Sequence, residues 1–452
     1  MRYSLSLRHE DHLKLQESTF SAPGCEGAAY LLCGQSTTDE EIRLLGREVV
    51  PVSTDHYLVR EQDFLSLSSP SYAHIAKRAR AENLSIVFVH SHPGGLLEFS
   101  DQDDREEKKL QDFFRERAPN QLHGSLVLTD NGIIGRVFDN GFRNLERIRI
   151  LGTRFSFHDR RNQSTPNTPF FDRQVRAFGH ETQALLQSLH IGVVGVGGTG
   201  SAVAEQLVRL GIGTMSIYDG DKFDPSNVNR LYGSSTQDSG QQKVDIVQKH
   251  LERIGTGTKV ISVGDHITKE AAAKMLRGCD LIFGCTDKET PRAILTKLSL
   301  RYLIPVFDMG VLIRSHNSLI SDVIGRVTTL FPGEACLFCR NRISPEAIRL
   351  ESLSQEERGR LAAEGYAPEL GTPNPAVIPF TTCIASLAVT ELIQRLTSFM
   401  GAKRESSEVI CSFEQSRIRT NRPSSKPGCL CTQRSLWGAG DTLPFLGSVW
   451  AT

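Results

Sequence analysis

Apolar and polar positions along the chain fall into short runs of two kinds. Ser85–His92 (SIVFVHSH) reads as a strand whose period of two sets Ile86, Phe88, His90 and His92 on one face. A loop follows, and Asp104 to about Arg117 reads as a polar helix. Gly124–Phe138 (GSLVLTDNGIIGRVF) reads as two strands across an Asp-Asn-Gly turn, a hairpin expected to close a first domain. His158–Pro169 is polar, carries two prolines, and reads as a linker. Beyond it, His190–Ser201 (HIGVVGVGGTGS) holds the apolar run Ile191, Val193, Val194, Val196 expected of a buried parallel strand. That run empties into Gly195-x-Gly197-Gly198-x-Gly200, and Ser201 to Arg209 then reads as a helix. Further strands are expected at Gly213–Tyr218 and Leu281–Gly284, and a helix at Ile384–Arg395. The alternation of strands and helices predicts an α/β chain.

Composition narrows the setting. With 452 residues the chain has room for two domains, and Lys+Arg 52 offsets Asp+Glu 52, which leaves no basic footprint for nucleic acid. Met1–Gln16 carries Arg8, His9, Glu10 and Asp11 with no apolar core, so it does not read as a signal peptide, and no stretch is apolar enough to span a bilayer. A cytoplasmic protein is expected, with its 10 cysteines reduced, metal-bound or catalytic. The domains expected are 1–158, a linker at 159–170, 171–422, and a tail at 423–452.

The first chemical pattern is His90-x-His92-x7-Ser100-x2-Asp103. Two imidazoles at a strand end and a carboxylate can share one zinc ion and leave a fourth position open for water, which is the catalytic arrangement. Ser100 and Asp103 also suit a helix-start capping pair. The stretch resembles the JAMM (MPN-plus) metalloprotease motif, whose members cleave bonds after ubiquitin-like proteins. Glu26-Gly-Ala-Ala-Tyr-Leu-Leu-Cys-Gly34 fits the early-strand glutamate of that family. The resemblance implies an MPN-type α/β domain in which His90, His92 and Asp103 bind catalytic zinc. It also implies that Glu26 is the general base and that Ser100 steadies the tetrahedral intermediate.

The glycine loop by itself indicates a nucleotide phosphate, because free N–H groups and a helix N-terminus favour the anion; NAD, FAD and ATP sites all use it. Later residues separate these. Asp219-Gly-Asp221, Ser226-Asn227-Val-Asn229-Arg230, Gly240-Gln-Gln-Lys243 and Cys285-Thr-Asp287 follow in order. Cations converging on a phosphate and a late carboxylate suit adenylation of a carboxylate rather than hydride transfer. These elements, with Phe171-Asp-Arg173-Gln-Val-Arg176 ahead of them, resemble the ubiquitin-activating family and its ThiF-type relatives, the bacterial adenylyltransferases of sulfur-carrier proteins. The resemblance implies a Rossmann-like domain with a parallel-rich sheet. It implies Gly195, Gly197, Gly198, Gly200, Asp219 and Asp221 around ATP, with Asn227 and Arg230 on its phosphates. Lys243 would neutralise the leaving pyrophosphate and Asp287 would bind Mg2+. Arg173 would reach the ATP of a partner subunit, which implies a homodimer.

Cys336-Leu-Phe-Cys339 and Cys429-Leu-Cys431 each follow a Pro-Gly turn, and two distant thiolate pairs suit a structural four-cysteine zinc site. The family often shows CxxC twice, and the second pair here is the tighter CxC. An activating enzyme of the ubiquitin type also needs a thiol to accept its carrier; the candidate is Cys383, although it reads better as a small residue at the Ile384–Arg395 helix. The loop Glu364–Pro375 contains no cysteine, Cys285 sits in the nucleotide motif, and Cys25, Cys33, Cys279 and Cys411 are expected in the core. The expected function is ATP-dependent adenylation of the C-terminal carboxylate of a ubiquitin-like protein, joined to a zinc peptidase that matures or removes it. The setting implied is a bacterial conjugation pathway, in some cases antiphage, with a ubiquitin-conjugating-type enzyme as partner. Activation of a sulfur carrier for thiocarboxylate formation is the alternative. A scaffold with degenerate sites and an NAD oxidoreductase stand further off.

Overall fold

The computed structural model describes residues 1–160, 169–317, 319–354, 356–357, 360, 375–448 and 450. Most of the expected linker, and the loop Glu364–Pro375 apart from Pro375, lie outside the described residues. The chain divides into two compact units: Met1–Gln163 with Arg301–Leu303 and Arg434–Gly447, and Ser164–Leu300 with Ile304–Gln433 and Ser448–Thr452. Both are mixed α/β.

The first unit contains β1 (Arg2–Arg8), α1 (His9–Thr19), β2 (Ala28–Thr37), β3 (Glu41–Pro51), β4 (Tyr57–Arg60), β5 (Leu65–Leu67), α2 (Ser69–Glu82) and β6 (Ser85–Ser91). It continues with α3 (Asp101–Arg117), β7 (Gly124–Thr129), β8 (Gly132–Phe138), β9 (Phe142–Asn144), β10 (Arg147–Leu151) and β11 (Phe155–Asp159). Its main sheet runs β11-β10-β1-β3-β2-β6-β7-β8-β9. Both faces are covered, so period-two alternation selects between two cores rather than between core and solvent. From β2, Ala29, Leu31 and Cys33 join Leu5, Leu7 and Leu15 on one side, while Tyr30 and Leu32 join Ile75, Ala79 and Phe114 on the other. Every residue of β6 is buried for the same reason: it lies between β2 and β7.

Two expectations need revision here. The β7–β8 hairpin forms, with Thr129 opposite Gly132, but it does not close the unit. The chain continues through β9 and returns to the far side of the sheet, where β10 lies parallel to β1. Met1–Gln16, read for lacking an apolar core, forms β1 and most of α1, and its period-two Tyr3, Leu5 and Leu7 enter the core. Arg434–Gly447 also belongs to this unit. Trp437 lies under the guanidinium of Arg8, the Asp441 carboxylate accepts from Thr37 N at 2.7 Å, and Gly440 bridges Gln35.

The second unit contains α4 (Asp172–Ser188), β12 (His190–Val194), α5 (Gly198–Leu210), β13 (Thr214–Tyr218), α6 (Lys243–Ile254), β14 (Lys259–Val263), α7 (Glu270–Met275), β15 (Leu281–Gly284) and most of α8 (Glu289–Tyr302). After these come β16 (Val306–His316), β17 (Leu319–Leu330), α9 (Pro345–Glu351), α10 (Ile378–Thr397), β18 (Glu408–Ser412) and β19 (Arg417–Asn421). The sheet order is β14-β13-β12-β15-β16-β17-β18-β19, parallel from β14 to β16 and antiparallel beyond. Strand order reverses between β12 and β15, and the carboxyl ends there open a crevice of the kind that binds ligands in such sheets. α10 starts at Ile378, six residues before the expected helix, because Pro379 is tolerated in a first helical turn. No helix among the described residues is long and apolar enough to cross a membrane.

Candidate functional site

β6 delivers His90 on its last turn of pleat and His92 just past its end, and α3 begins with Asp103 in its first turn. His90 Nε2 lies 3.1 Å from His92 Nε2 and 3.2 Å from Asp103 Oδ1, and His92 Nε2 lies 3.5 Å from Asp103 Oδ2. His92 Nδ1 is 3.0 Å from the Leu96 carbonyl, so that nitrogen donates and Nε2 carries the free lone pair. Three ligand atoms thus lie within 4.8 Å of one another, and two imidazoles with one carboxylate are the donor set of a catalytic zinc site. The residues fit the metal.

Ser100 serves the helix start that its spacing also suggested. Its hydroxyl donates to Asp103 Oδ2 at 2.8 Å and accepts from Asp103 N at 3.1 Å, and its own N–H donates to the same carboxylate. The cap aims Asp103 at the histidines, so capping and ligation are compatible. Burial tends to neutralise Asp103, but hydrogen bonds from His90 and His92 outweigh it and hold its carboxyl below the usual range. Glu26 stands before β2 with Oε1 at 3.7 Å from His92 Nε2, its backbone pinned by Arg60 and Glu61. Burial pushes its carboxyl up to about 7, against the pull of the two imidazoles. A cavity of about 370 Å³ opens beside the centre, lined by Phe64, Leu65, Leu67, Tyr72 and Phe113 together with Glu26, His90 and Asp103.

Two residues of this centre escaped the motif. Glu107, one turn after Asp103, is buried with Oε1 at 3.5 Å from His90 Nδ1. Its Oε2 accepts from Arg136 Nε at 3.0 Å and Nη2 at 2.7 Å. Its i+4 spacing from Asp103 is the signal that could have found it; Arg136, on β8, had none.

In the second unit a cavity of about 610 Å³ sits at the carboxyl ends of β12, β13 and β15. Gly195, Gly197 and Gly198 line it with Asp219, Asp221, Arg230, Lys243 and Asp287. Gly195 has φ +86°, and a Cβ on Gly200 would lie 1.8 Å from the Gly195 carbonyl oxygen. The Asp219 carboxylate accepts from Val196 N and Asp221 N, both at 2.9 Å, which ties the end of β13 to the glycine turn. Burial raises the Asp219 carboxyl, with Lys243 acting against it. Lys243 Nζ pairs with Asp221 at 2.9 Å, and Arg230 lies along Gly198 with its guanidinium on the Ser226 carbonyl at 2.8 Å. Asp287 is exposed in the cavity, which suits Mg2+, an ion that takes one or two carboxylates plus phosphate oxygens.

Asn227 and Arg173 are placed elsewhere. Asn227 Oδ1 accepts from Asp224 N in a short capping turn, and Arg173 is exposed in the first turn of α4, outside the lining of this cavity. What the sequence reading overlooked is a charged triad of which Arg292 and Arg326 line the cavity and Asp308 is buried. Asp308 accepts from Arg326 at 2.9 Å and faces Arg292 Nε at 3.2 Å. Asp308 sits inside an apolar strand and its partners are distant in sequence, so no local pattern marked it.

The four cysteines Cys336, Cys339, Cys429 and Cys431 converge. Sulfur separations are 3.4 Å for Cys336–Cys429, 3.5 Å for Cys339–Cys431 and 3.9 Å for Cys336–Cys339. A tetrahedral zinc with Zn–S of about 2.3 Å has sulfur–sulfur edges of about 3.8 Å, so the cluster can hold zinc. Lys426 N donates to Cys339 Sγ at 3.2 Å, as a thiolate would invite. Cys383 lies within α10, half-buried; burial, with Cys383 adding to it, raises the Cys411 thiol. Cys285 lines the nucleotide cavity, and burial raises its thiol. Cys33, Cys279 and Cys411 are buried as expected, but Cys25 is half-buried in a turn before β2, where the chain is not yet in the sheet.

Comparison with known proteins agrees with both sites. Residues 171–431 match the model of the ThiF family, and residues 13–134 match that of prokaryotic homologs of the JAB domain. The chain is 26% identical over 272 residues to the molybdopterin-synthase adenylyltransferase of Escherichia coli (58% of this chain, 96% of that protein). It is 31% identical over 137 residues to the adenylyltransferase and sulfurtransferase uba4 of Aspergillus niger (28% of each chain), so the match spans little more than a quarter of the fungal protein. It is 30% identical over 141 residues to the tRNA threonylcarbamoyladenosine dehydratase of E. coli (31% of this chain, 53% of that protein). A reversed strand order, a glycine turn tied to Asp219 and a match over more than half its length lead to one conclusion: the chain belongs to the ThiF family and carries a JAB-type domain at its N-terminus.

Proposed function

We infer that the second unit adenylates the C-terminal carboxylate of a small carrier protein, and that the first is a zinc peptidase acting on bonds to that carrier. One observation carries the adenylation reading: Gly197, Asp219, Arg230, Lys243 and Asp287 line a single cavity at the point where strand order reverses. ATP enters as substrate. A carboxylate oxygen of the carrier attacks the α-phosphorus, the bond to the β-phosphate breaks, and pyrophosphate leaves with its electron pair; no proton is consumed. The glycine turn and Asp219 orient the nucleotide, and Arg230 and Lys243 offset the charge that spreads over the phosphates; Asp287 would hold Mg2+, which when bound would offset the negative charge of the leaving pyrophosphate. Arg173, exposed on α4, is free to serve a second copy, which agrees with a homodimer.

In the first unit His90, His92 and Asp103 would hold zinc, which when bound supplies Lewis acidity to a scissile carbonyl. Glu26, whose Oε1 lies 3.7 Å from His92 Nε2, then works as general base at its Oε atoms. Ser100 keeps Asp103 aimed through its backbone N–H and by capping Asp103 N, and its single hydroxyl proton would serve a developing oxyanion only by leaving Asp103 Oδ2. The neighbouring cavity, with a mixed apolar and charged lining, suits an extended peptide tail.

Conjugation of a ubiquitin-like protein, in a bacterial and in some cases antiphage setting, is the reading we favour, with the carrier passed to a conjugating-type enzyme. A second reading, thiocarboxylate formation on a sulfur carrier, gains from Cys383 being a half-buried helix residue rather than an exposed loop thiol. Incubation of the chain with Mg-ATP and candidate carriers, followed by intact-mass spectrometry, separates them. An adenylate, a thioester and a thiocarboxylate differ in mass. Unmodified carriers and pyrophosphate exchange that is indifferent to Asp287→Ala would defeat the adenylation reading.

A further inference from the structure

Beside the candidate metal ligands of the first unit lies a pair of buried polar atoms that make no hydrogen bond among the described residues. His90 Nδ1 and Glu107 Oε1 make no hydrogen bond, yet they face across 3.5 Å in a site where both side chains are almost wholly buried. The other carboxylate oxygen of Glu107 is clamped by two nitrogens of Arg136. Arg136 is itself fixed. Its guanidinium stacks over the rings of Phe99 and Phe142 at 3.8 and 3.7 Å and also pairs with Asp104. The whole arrangement therefore holds one carboxylate oxygen behind one ring nitrogen, on the side of His90 opposite its Nε2.

Buried polar atoms are rarely left unpaired, and a fraction of an ångström of movement turns this approach into a hydrogen bond. A histidine that gives one nitrogen to a metal commonly donates the other N–H to a carboxylate, which fixes the tautomer and makes the ligand nitrogen a stronger donor. For His92 the Leu96 carbonyl does this; among the described residues no backbone acceptor reaches His90 Nδ1, and Glu107 occupies the place.

We propose that Glu107, braced by Arg136, is the positioning residue that presents His90 Nε2 to the metal of the first unit. This rests on the reading of His90, His92 and Asp103 as zinc ligands. Glu107 reaches the edge of the neighbouring cavity, but the contact used here is the one with His90 Nδ1, and it acts through His90. Its effect falls first on metal affinity and on the ligand field, and on peptidase turnover only as a consequence.

The test uses the full chain. Zinc affinity is measured by chelator competition, and the Co2+-loaded protein is followed by its visible absorption. Three proteins are compared: wild type, Glu107→Gln, and the double variant Glu107→Leu with Arg136→Met. The double variant removes both buried charges together, so neither is stranded in the interior, and melting without metal checks that it folds. The double variant should bind zinc at this site roughly 10–100-fold more weakly, with a changed Co2+ spectrum. Glu107→Gln, whose amide oxygen can still accept from Nδ1–H, should fall between. Wild-type affinity and an unchanged Co2+ spectrum in a folded double variant would overturn the proposal. Failure of the underlying reading looks different: the wild-type chain would then bind metal only at its four-cysteine cluster, and His90→Ala would change nothing.

Discussion

Gly200 and Gly197 occupy equivalent-looking places in Gly195-x-Gly197-Gly198-x-Gly200, yet alanine should act on them in opposite ways. A Cβ at Gly200 would lie 1.8 Å from the Gly195 carbonyl oxygen and 2.8 Å from its carbon. Non-bonded heavy atoms come to rest at roughly 3.5 Å, so the turn must open. Opening it strains the bond from Gly195 N to Tyr218 O at 2.7 Å and that from Val196 N to Asp219 at 2.9 Å. Overpacking against backbone costs about 1–3 kcal/mol and each weakened bond about 1 kcal/mol. Gly200→Ala should therefore destabilise the second unit by about 3 kcal/mol or more, a drop of roughly 6 °C or more in a domain of this size. At Gly197 an added Cβ meets nothing, and its φ of −68° is open to alanine. Gly197→Ala should melt within about 0.5 kcal/mol of wild type. It should nevertheless weaken ATP binding about tenfold or more, because the new methyl enters the space where phosphate must approach the backbone. Calorimetric melting without nucleotide, paired with ATP titration, measures both effects. Equal melting of the two variants would refute the argument.

Other expectations follow from the same geometry. Cys339→Ser should cost one zinc per chain by elemental analysis, leaving metal at His90, His92 and Asp103. Glu26→Gln should lower peptidase turnover by about 10²–10⁴-fold while the zinc content holds, since a proton carrier is lost and no ligand is; a proportional loss of zinc would place Glu26 among the ligands. His123 accepts from Ile86 N at Nδ1 and gives Nε2–H to the Ala118 carbonyl, an arrangement only the neutral ring can make, and burial lowers its pKa to about 4. Because the unfolded ring takes a proton below about 6.5 and the folded ring does not until about 4, stability of the first unit should fall by about 3 kcal/mol as pH drops through that window. NMR titration of His123 checks this, and titration near 6.5 would contradict it. Trp437→Ala, which removes the ring beneath Arg8, should cost about 3 kcal/mol in the melting of the first unit.

What the chain shows locally was legible without coordinates. Spacing alone places His90 and His92 at a strand end, Asp103 in a helix start, and Gly195–Gly200 between β12 and α5, because each depends on periodicity or turn chemistry within a dozen residues. The two cysteine pairs were legible as pairs. Tertiary structure decided what distance in sequence concealed. It put Cys336 beside Cys429, closed Asp308 between Arg292 and Arg326, and set Arg136 against Glu107 behind His90. It carried Arg434–Gly447 back to the first unit, sent β10 to the strand that opens the chain, and gave two glycines of one turn opposite roles. The physical reason is common to all of these. A hydrogen-bond ladder or a helical face repeats with a fixed period that the sequence must display, whereas a contact between distant segments needs only complementary chemistry and leaves no period to read.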